Sequence, residues 1–250
     1  MPQISIIVPC YNQSEYLDDS LGSVLAQDYD DWECIVVNDG SKDETKERAQ
    51  AWCAKDSRFR YLEKENGGLS SARNAGITEA KGAYILPLDA DDRIGDQYLS
   101  MAMAVFKKNK RTKLVYCKAE MFGHKNEFWK LSDFKFKKLL RKNLIFCSCI
   151  YRKIAADKIG GYDEEMKLGY EDWEFLIRFC SQIRGRVHRL DYLGFFYRTK
   201  EVSMVRDLDM DLRTKKLVIR HIQNKHRKLY KRNKLQIWWN KRIHKIKLIP

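Results

Sequence analysis

The chain has 250 residues, 44% hydrophobic and 33% charged, with seven cysteines and a formal net charge of +14, enough for one large buried core and too apolar for a disordered chain. No run approaches the roughly 20 apolar residues of a membrane-spanning helix, and Met1-Pro2-Gln3 leads straight into an apolar segment without leader-peptide features, so a cytoplasmic protein with reduced, packed thiols is expected. Residues 206–250 carry 15 Lys or Arg against 3 Asp, leaving 33 basic and 31 acidic groups, a balance of +2, to residues 1–205, which argues against a nucleic-acid-binding body and for a tail that meets an anionic surface.

Ile4-Ser5-Ile6-Ile7-Val8 reads as a strand buried on both faces, and Leu17, Leu21, Val24 and Leu25 follow at helical spacing. Cys34–Val37 is a second strand running into Asn38-Asp39-Gly40-Ser41, with a helix over Glu44–Lys55 behind it. Arg60–Leu62 makes a third strand, and Asn66-Gly67-Gly68 opens a helix over Ser70–Ala80. Ala83–Leu86 is a fourth strand that ends at Leu88-Asp89-Ala90-Asp91-Asp92. This β-α-β-α order predicts an α/β fold with a mostly parallel central sheet, in which ligands sit beyond the carboxyl ends of the strands. The polar clusters Cys10–Asn12, Asn38–Ser41 and Asp89–Asp92 all fall at such ends and are expected to converge.

Beyond Ile94 the periodicity weakens. Gln97–Lys108 reads as a helix, Leu114–Phe122 as a strand, Lys130–Asn143 as a basic, aromatic-rich excursion, and Gly160–Asp163 as a turn. Tyr170–Ser181 reads as a helix with Trp173, Leu176, Ile177 and Cys180 inward, and the chain after Met204 as helical and basic to its end.

Three carboxylates directly after an apolar strand need partners, solvent or a cation. Asp89, Asp91 and Asp92 suit a hard divalent cation, Mg²⁺ or Mn²⁺, that shares its other positions with phosphate. No G-x-G-x-x-G follows the first strand and no Walker loop is present, so dinucleotide and P-loop readings lose their main support.

The blocks Ile4–Asn12, Val37–Ser41, Asn66–Gly76, Leu86–Asp92, Gly160–Asp163 and Tyr170–Trp173, with Tyr197-Arg198 opening a last one, resemble in order and spacing the family 2 glycosyltransferases. The resemblance implies a GT-A fold over residues 1–205, with a nucleotide-binding half (1–95) and an acceptor-binding half (96–205), followed by a basic helical tail (206–250). It implies inverting transfer of a hexose or N-acetylhexosamine from a nucleoside-diphosphate sugar, of which UDP-sugars are the commonest, to a glycan or lipid-linked acceptor. Pro9, Tyr11, Asn12 and Glu15 would then line the base and ribose, and Asp39 would accept from the base. Asn66, Gly67 and Arg73 would approach the nucleotide or diphosphate. Asp89-Ala90-Asp91 would be the Asp-x-Asp motif, with Asp91 on the metal and Asp89 on ribose and metal. Asp172 would be the catalytic base, with Glu171 and Trp173 at the acceptor. One position departs from the pattern: where many relatives carry a histidine, this chain has Lys200, which cannot ligate a metal but can face a phosphate.

A sugar nucleotidyltransferase and a non-catalytic nucleotide- or nucleic-acid-binding module are the rival readings. In the tail, Leu235, Trp239, Ile243 and Ile246 fall at helical spacing beside Trp238 and amid Lys and Arg. That composition predicts peripheral contact with the anionic inner face of the cell membrane, against packing of the same stripe on the body.

Overall fold

A computed structural model describes residues 1–200 and 211–233. Strands β1 (Ile4–Cys10), β2 (Trp32–Asn38), β3 (Phe59–Glu63) and β4 (Tyr84–Pro87) alternate with helices α1 (Ser14–Leu25), α2 (Thr45–Lys55) and α3 (Leu69–Glu79). The strands lie in the order β3-β2-β1-β4, and every pair is parallel. All residues of β1 and β2 are buried, which is why these strands are apolar runs and not alternations. Gly76 lets α3 lie directly on the sheet, since a Cβ there would come within 2.3 Å of Ile7 Cγ2 and 3.0 Å of Val37 Cγ2. Because β2 and β4 flank β1 on opposite sides, the chain reverses direction across the sheet at β1. The crevice at its carboxyl end is therefore a topological switch point.

The second half contributes β5 (Arg93–Ile94), α4 (Tyr98–Lys108), β6 (Thr112–Gly123), β7 (Glu127–Trp129), α5 (Phe136–Leu139), β8 (Ile150–Arg152), α6 (Lys153–Ile159), α7 (Glu171–Gln182) and β9 (Arg186–Thr199). It extends the sheet as β8-β6-β9-β5, with β7 on β6. Here β4–β8, β6–β8, β6–β7 and β5–β9 are antiparallel, and only β6–β9 is parallel. The α/β fold is as expected, but its parallel order belongs mainly to the first half.

The 14-residue strand β9 is not visible in the sequence pattern. Its pairing with β6 shifts register at three places, and each bulge breaks the period-2 alternation that would reveal a strand. The Lys130–Asn143 excursion is not wholly irregular either: it holds α5, and Leu139 and Leu140 are buried.

Helices α8 (Leu212–Lys225) and α9 (Arg227–Arg232) bury Val218, Ile222 and Tyr230 in the same core as the sheet. On α7, the fully buried Glu174 meets Arg178 at 2.8 Å, Lys225 at 3.0 Å and His226 at 3.0 Å. Helices α8 and α9, rich in basic residues, thus lie docked on the body through these contacts. The amphipathic stripe from Leu235 to Ile246 lies outside the described residues. Among the described residues, no helix is long and apolar enough to cross a membrane.

Candidate active site

The carboxyl ends of β1, β2 and β4 meet as expected. Past β1, the Asn12 amide donates to Ser41 Oγ (3.0 Å) and Asn12 Oδ1 accepts from the Lys42 amide (2.8 Å). Asp39 N donates to Cys10 O (3.0 Å), and Leu88 N to Ile7 O (2.9 Å). Tyr11, Asn12, Glu15 and Asn66 are exposed around this crevice. Tyr11 stands 49% accessible, an unusual state for a large aromatic ring and a ready surface for stacking on a base. Pro9 and Ala90 are buried, so their side chains offer a ligand nothing.

Asp39 lies just past the end of β2. It is buried, and its carboxylate accepts from Gly67 N (3.0 Å), Gly68 N (2.8 Å) and Lys64 Nζ (2.7 Å). These bonds tie the carboxylate to the loop that opens α3, so Asp39 shapes the crevice wall and keeps acceptor capacity for at most one further donor. Gly67 is required there, because a Cβ would lie 2.6 Å from Ser71 Oγ.

Arg73 departs from expectation. It does not face the crevice: at 1% exposure it lies beneath it, donating to Asp89 Oδ1 (2.6 Å) and Glu171 Oε1 (2.7 Å). A buried guanidinium needs paired charges, and these two come from the end of β4 and the start of α7. Glu171 is likewise buried, so it serves this pair and presents little to an acceptor. Trp173 is 4% exposed and its indole donates to Leu139 O (2.7 Å). It anchors the Lys130–Asn143 segment from below, where an acceptor-lining side chain was expected.

Asp172 is half-buried at the first turn of α7. Its Oδ2 accepts from Asn143 Nδ2 (2.8 Å) and its Oδ1 from the Trp173 amide (2.6 Å). Desolvation and the neighbouring Glu171 push its carboxyl up to about 7, against the pull of Arg73 and Asn143. A carboxylate poised near neutrality suits general-base work. Asn143 has no distinguishing sequence signal; it sits in the excursion that lacks a motif.

The Asp89–Asp92 loop is held from the far side by the end of β9. Arg198 N donates to Asp92 Oδ1 (2.8 Å), Arg198 Nε to Asp91 O (2.8 Å), and its guanidinium reaches Asp19 (2.5 Å). Lys200 Nζ pairs with Asp91 Oδ2 at 2.6 Å. Burial, then the Lys200 charge working against it and Asp89 with it, leaves the Asp91 carboxyl raised. Asp92 Oδ2 is buried with no hydrogen-bond partner. Such a crowded and under-compensated set of carboxylates fits a divalent cation. Among the described residues, three ligating side chains converge only at Asp163, Glu165 and His221, where Asp163 already pairs with Lys225 at 2.6 Å. The Asp89–Asp92 loop accordingly offers one or two carboxylates and no closed cage, the mode in which Mg²⁺-type ions keep substrate phosphates and waters as ligands.

The sequence profile described as glycosyl transferase family 2 matches residues 5–169. The chain belongs to that family. An uncharacterized glycosyltransferase of Rickettsia prowazekii is 34% identical over 208 residues, covering 75% of this chain and 64% of its own length. EpsJ of Bacillus subtilis, likewise an uncharacterized glycosyltransferase, is 45% identical over 103 residues, 41% of this chain and 28% of that protein. The chain thus spans less than two thirds of these relatives. Among solved structures, S. aureus TarS 1–349 in complex with UDP-GlcNAc superposes with a TM-score of 0.70 at 23% identity, over 82% of this chain and 61% of that one. A mannosyltransferase from Pyrobaculum calidifontis, in complex with GDP-Man and Mn²⁺, gives 0.63 at 16% identity over 83% and 60%. At these identities the likeness is one of fold, and it is the expected GT-A fold. Membership in the family sets the nucleotidyltransferase reading aside.

Proposed function

We propose that this family 2 member is an inverting glycosyltransferase that moves a hexose or N-acetylhexosamine from a UDP-sugar to a glycan or lipid-linked acceptor. The observation that carries the reading is the buried Asp89–Arg73–Glu171 bridge, which ties the Asp-x-Asp loop to the residue preceding Asp172. A donor diphosphate at the loop would then have its anomeric carbon on the Asp172 side. Tyr11 would stack on the base, with Asn12, Glu15, Asn66 and the Gly67 backbone around the nucleotide. The UDP-GlcNAc and UDP held by TarS favour uracil as that base.

Asp172 accepts the proton of an acceptor hydroxyl as its oxygen bonds to the anomeric carbon and the carbon–phosphate-oxygen bond breaks. Asn143 and the Trp173 amide keep the carboxylate oriented. Attack opposite the leaving diphosphate inverts the centre, so an α-linked donor gives a β-linked product. Asp91, with Asp89 beside it, would hold Mn²⁺ or Mg²⁺, which offsets the charge developing on the diphosphate; the Mn²⁺ complex of the Pyrobaculum enzyme favours this. The basic C-terminal region would keep the enzyme at the inner membrane face, near a lipid-linked acceptor.

The test is a screen of sugar nucleotides for transfer and hydrolysis with Mn²⁺, with Mg²⁺ and with EDTA. One UDP-sugar consumed only with metal, giving a β-anomeric proton by NMR, is the expected result. Full turnover in EDTA removes the metal, and a retained configuration removes Asp172 as the base of a single displacement.

A further inference from the structure

We propose that Lys200 is a built-in counter-cation for Asp91, which holds the carboxylate until a divalent cation displaces it and then engages the diphosphate that arrives with that cation. This rests on the reading of the crevice as a nucleotide-diphosphate site. Three observations carry it. The ammonium lies 2.6 Å from Asp91 Oδ2, with both side chains less than a fifth exposed. It also lies 4.3 Å from the centroid of the Tyr16 ring, so it is seated between a carboxylate and an aromatic face and not loose in solvent. On the same ring, the Arg198 guanidinium stands 4.8 Å away and donates to the Asp91 carbonyl, while the Arg198 amide donates to the Asp92 carboxylate. The strand end that positions the loop thus also delivers the cation, two residues further on.

A lysine and a divalent ion cannot share one carboxylate oxygen at full strength, because like charges a few ångströms apart repel strongly in a partly desolvated site. Lys200 should therefore weaken metal binding to the free protein. A metal-bound diphosphate seated there would bring further negative oxygens toward the ammonium, and the flexible four-carbon stem would let Lys200 engage them. Metal and nucleotide are thereby made to bind together and not in sequence. Without metal, the same lysine gives the diphosphate a residual cationic contact.

Titration calorimetry on the full chain separates the two halves. With MnCl₂ alone, Lys200→Gln is expected to bind about tenfold tighter or more than the wild-type protein, and Lys200→Arg to match the wild type. With UDP in EDTA, and GDP as the alternative nucleotide, Lys200→Gln is expected to bind about tenfold weaker than the wild type. Equal Mn²⁺ affinity in wild type and Lys200→Gln overturns the proposal. If Lys200→Gln does not fold, Tyr16→Leu tests the same point, since losing the ring beneath the ammonium should tighten Mn²⁺ in the same direction; an unchanged affinity there overturns it equally. Failure of both nucleotides to bind any of these proteins, with or without Mn²⁺, overturns the nucleotide-site reading and the diphosphate half with it. The Mn²⁺ titration still decides whether Lys200 guards Asp91.

Discussion

In residues 1–95 the backbone just past β1, β2 and β4 is fixed by hydrogen bonds between neighbouring strand ends, and the crevice-facing groups stand around that frame. In residues 96–200 the corresponding groups come from a helix start (Asp172), a loop (Asn143), and the end of a bulged strand with the residue just past it (Arg198, Lys200). The first half is assembled by its own topology, because three strand ends must meet wherever parallel strands lie side by side. The second half has no such geometry and is placed by long-range ionic and hydrogen-bonded ties, chiefly Arg73 and Arg198. Breaking those ties should therefore uncouple the halves while leaving the nucleotide half recognisable.

The largest effect is expected at Arg73. Arg73→Met leaves Asp89 and Glu171 facing each other without their shared cation, and should cost about 3–5 kcal/mol in urea unfolding as well as most of the turnover. Adding Glu171→Gln to that variant should recover part of the stability. A single-variant loss no larger than that of a surface ion pair, about 1 kcal/mol or less, would mean that Arg73 does not couple the halves.

Next comes Asp172, where the tie is to chemistry. Asp172→Asn keeps the shape but cannot take the proton, so turnover should fall about 10²-fold or more while the donor dissociation constant holds. Only the ionised carboxylate is a base. With its pKa raised to about 7, kcat/KM of the wild type should climb as pH rises through that value and level off above it. A profile flat across that range assigns the proton to another group.

The same contrast explains what the sequence tells. The strands and helices up to Asp92 follow from apolar runs and turn residues, and the polar strand ends mark the crevice in the sequence itself. The Asp-x-Asp loop stands out as three carboxylates directly after an apolar strand, whereas Asp172 is marked by the family resemblance alone, since a carboxylate in the first turn of a helix also has a structural role. Arg73 is not legible: a basic residue on an amphipathic helix gives no sign of whether it faces ligand or interior, and only the pairing with Glu171, 98 residues away, decides it. Asp39 is ambiguous for a related reason, since a turn aspartate can serve a ligand, its own loop or both. Asn143 and β9 are silent, the one for want of a motif and the other because bulges erase its alternation.

A smaller effect is expected where the C-terminal helices join the second half. Burial alone would raise Glu174, but His226, Arg178 and Lys225 hold it down to about 2. A carboxyl depressed on folding stabilises the native state above its unfolded value, and that contribution fades as pH falls toward the folded one. Acid unfolding should accordingly steepen below about pH 4.5, and Glu174→Gln should remove on the order of 3 kcal/mol at neutral pH, less below that point. Loss of the α8 contacts, read by hydrogen exchange over residues 212–232, should accompany it. Unchanged exchange there would mean that apolar packing of Val218 and Ile222 holds these helices without Glu174.

The smallest effect per residue concerns the outer surface of that same docked region. Arg213, Arg220, Arg227, Lys228, Lys231 and Arg232 are exposed, and Leu212 and Leu217 stand 62% and 63% accessible on α8. Basic groups with exposed leucines fit a surface that rests on anionic headgroups, and each such group contributes about 1 kcal/mol near the leaflet. Because α8 and α9 are fixed to the body, this contact would orient the crevice relative to the membrane, which a free tail could not do. The full chain should therefore sediment with anionic vesicles at low salt and be released at high salt, where screening is strong. Lys231→Gln alone should weaken binding about fivefold, as one headgroup contact implies. A chain ending at Asn233 should still bind, more weakly, because the docked helices keep their own charges. If that shortened chain stays in the supernatant while the full chain sediments, the contact belongs to residues 234–250 and the docked surface has no part in it. If the full chain also stays in the supernatant, membrane association is lost as an account of the basic region, whose helices then serve to complete the core.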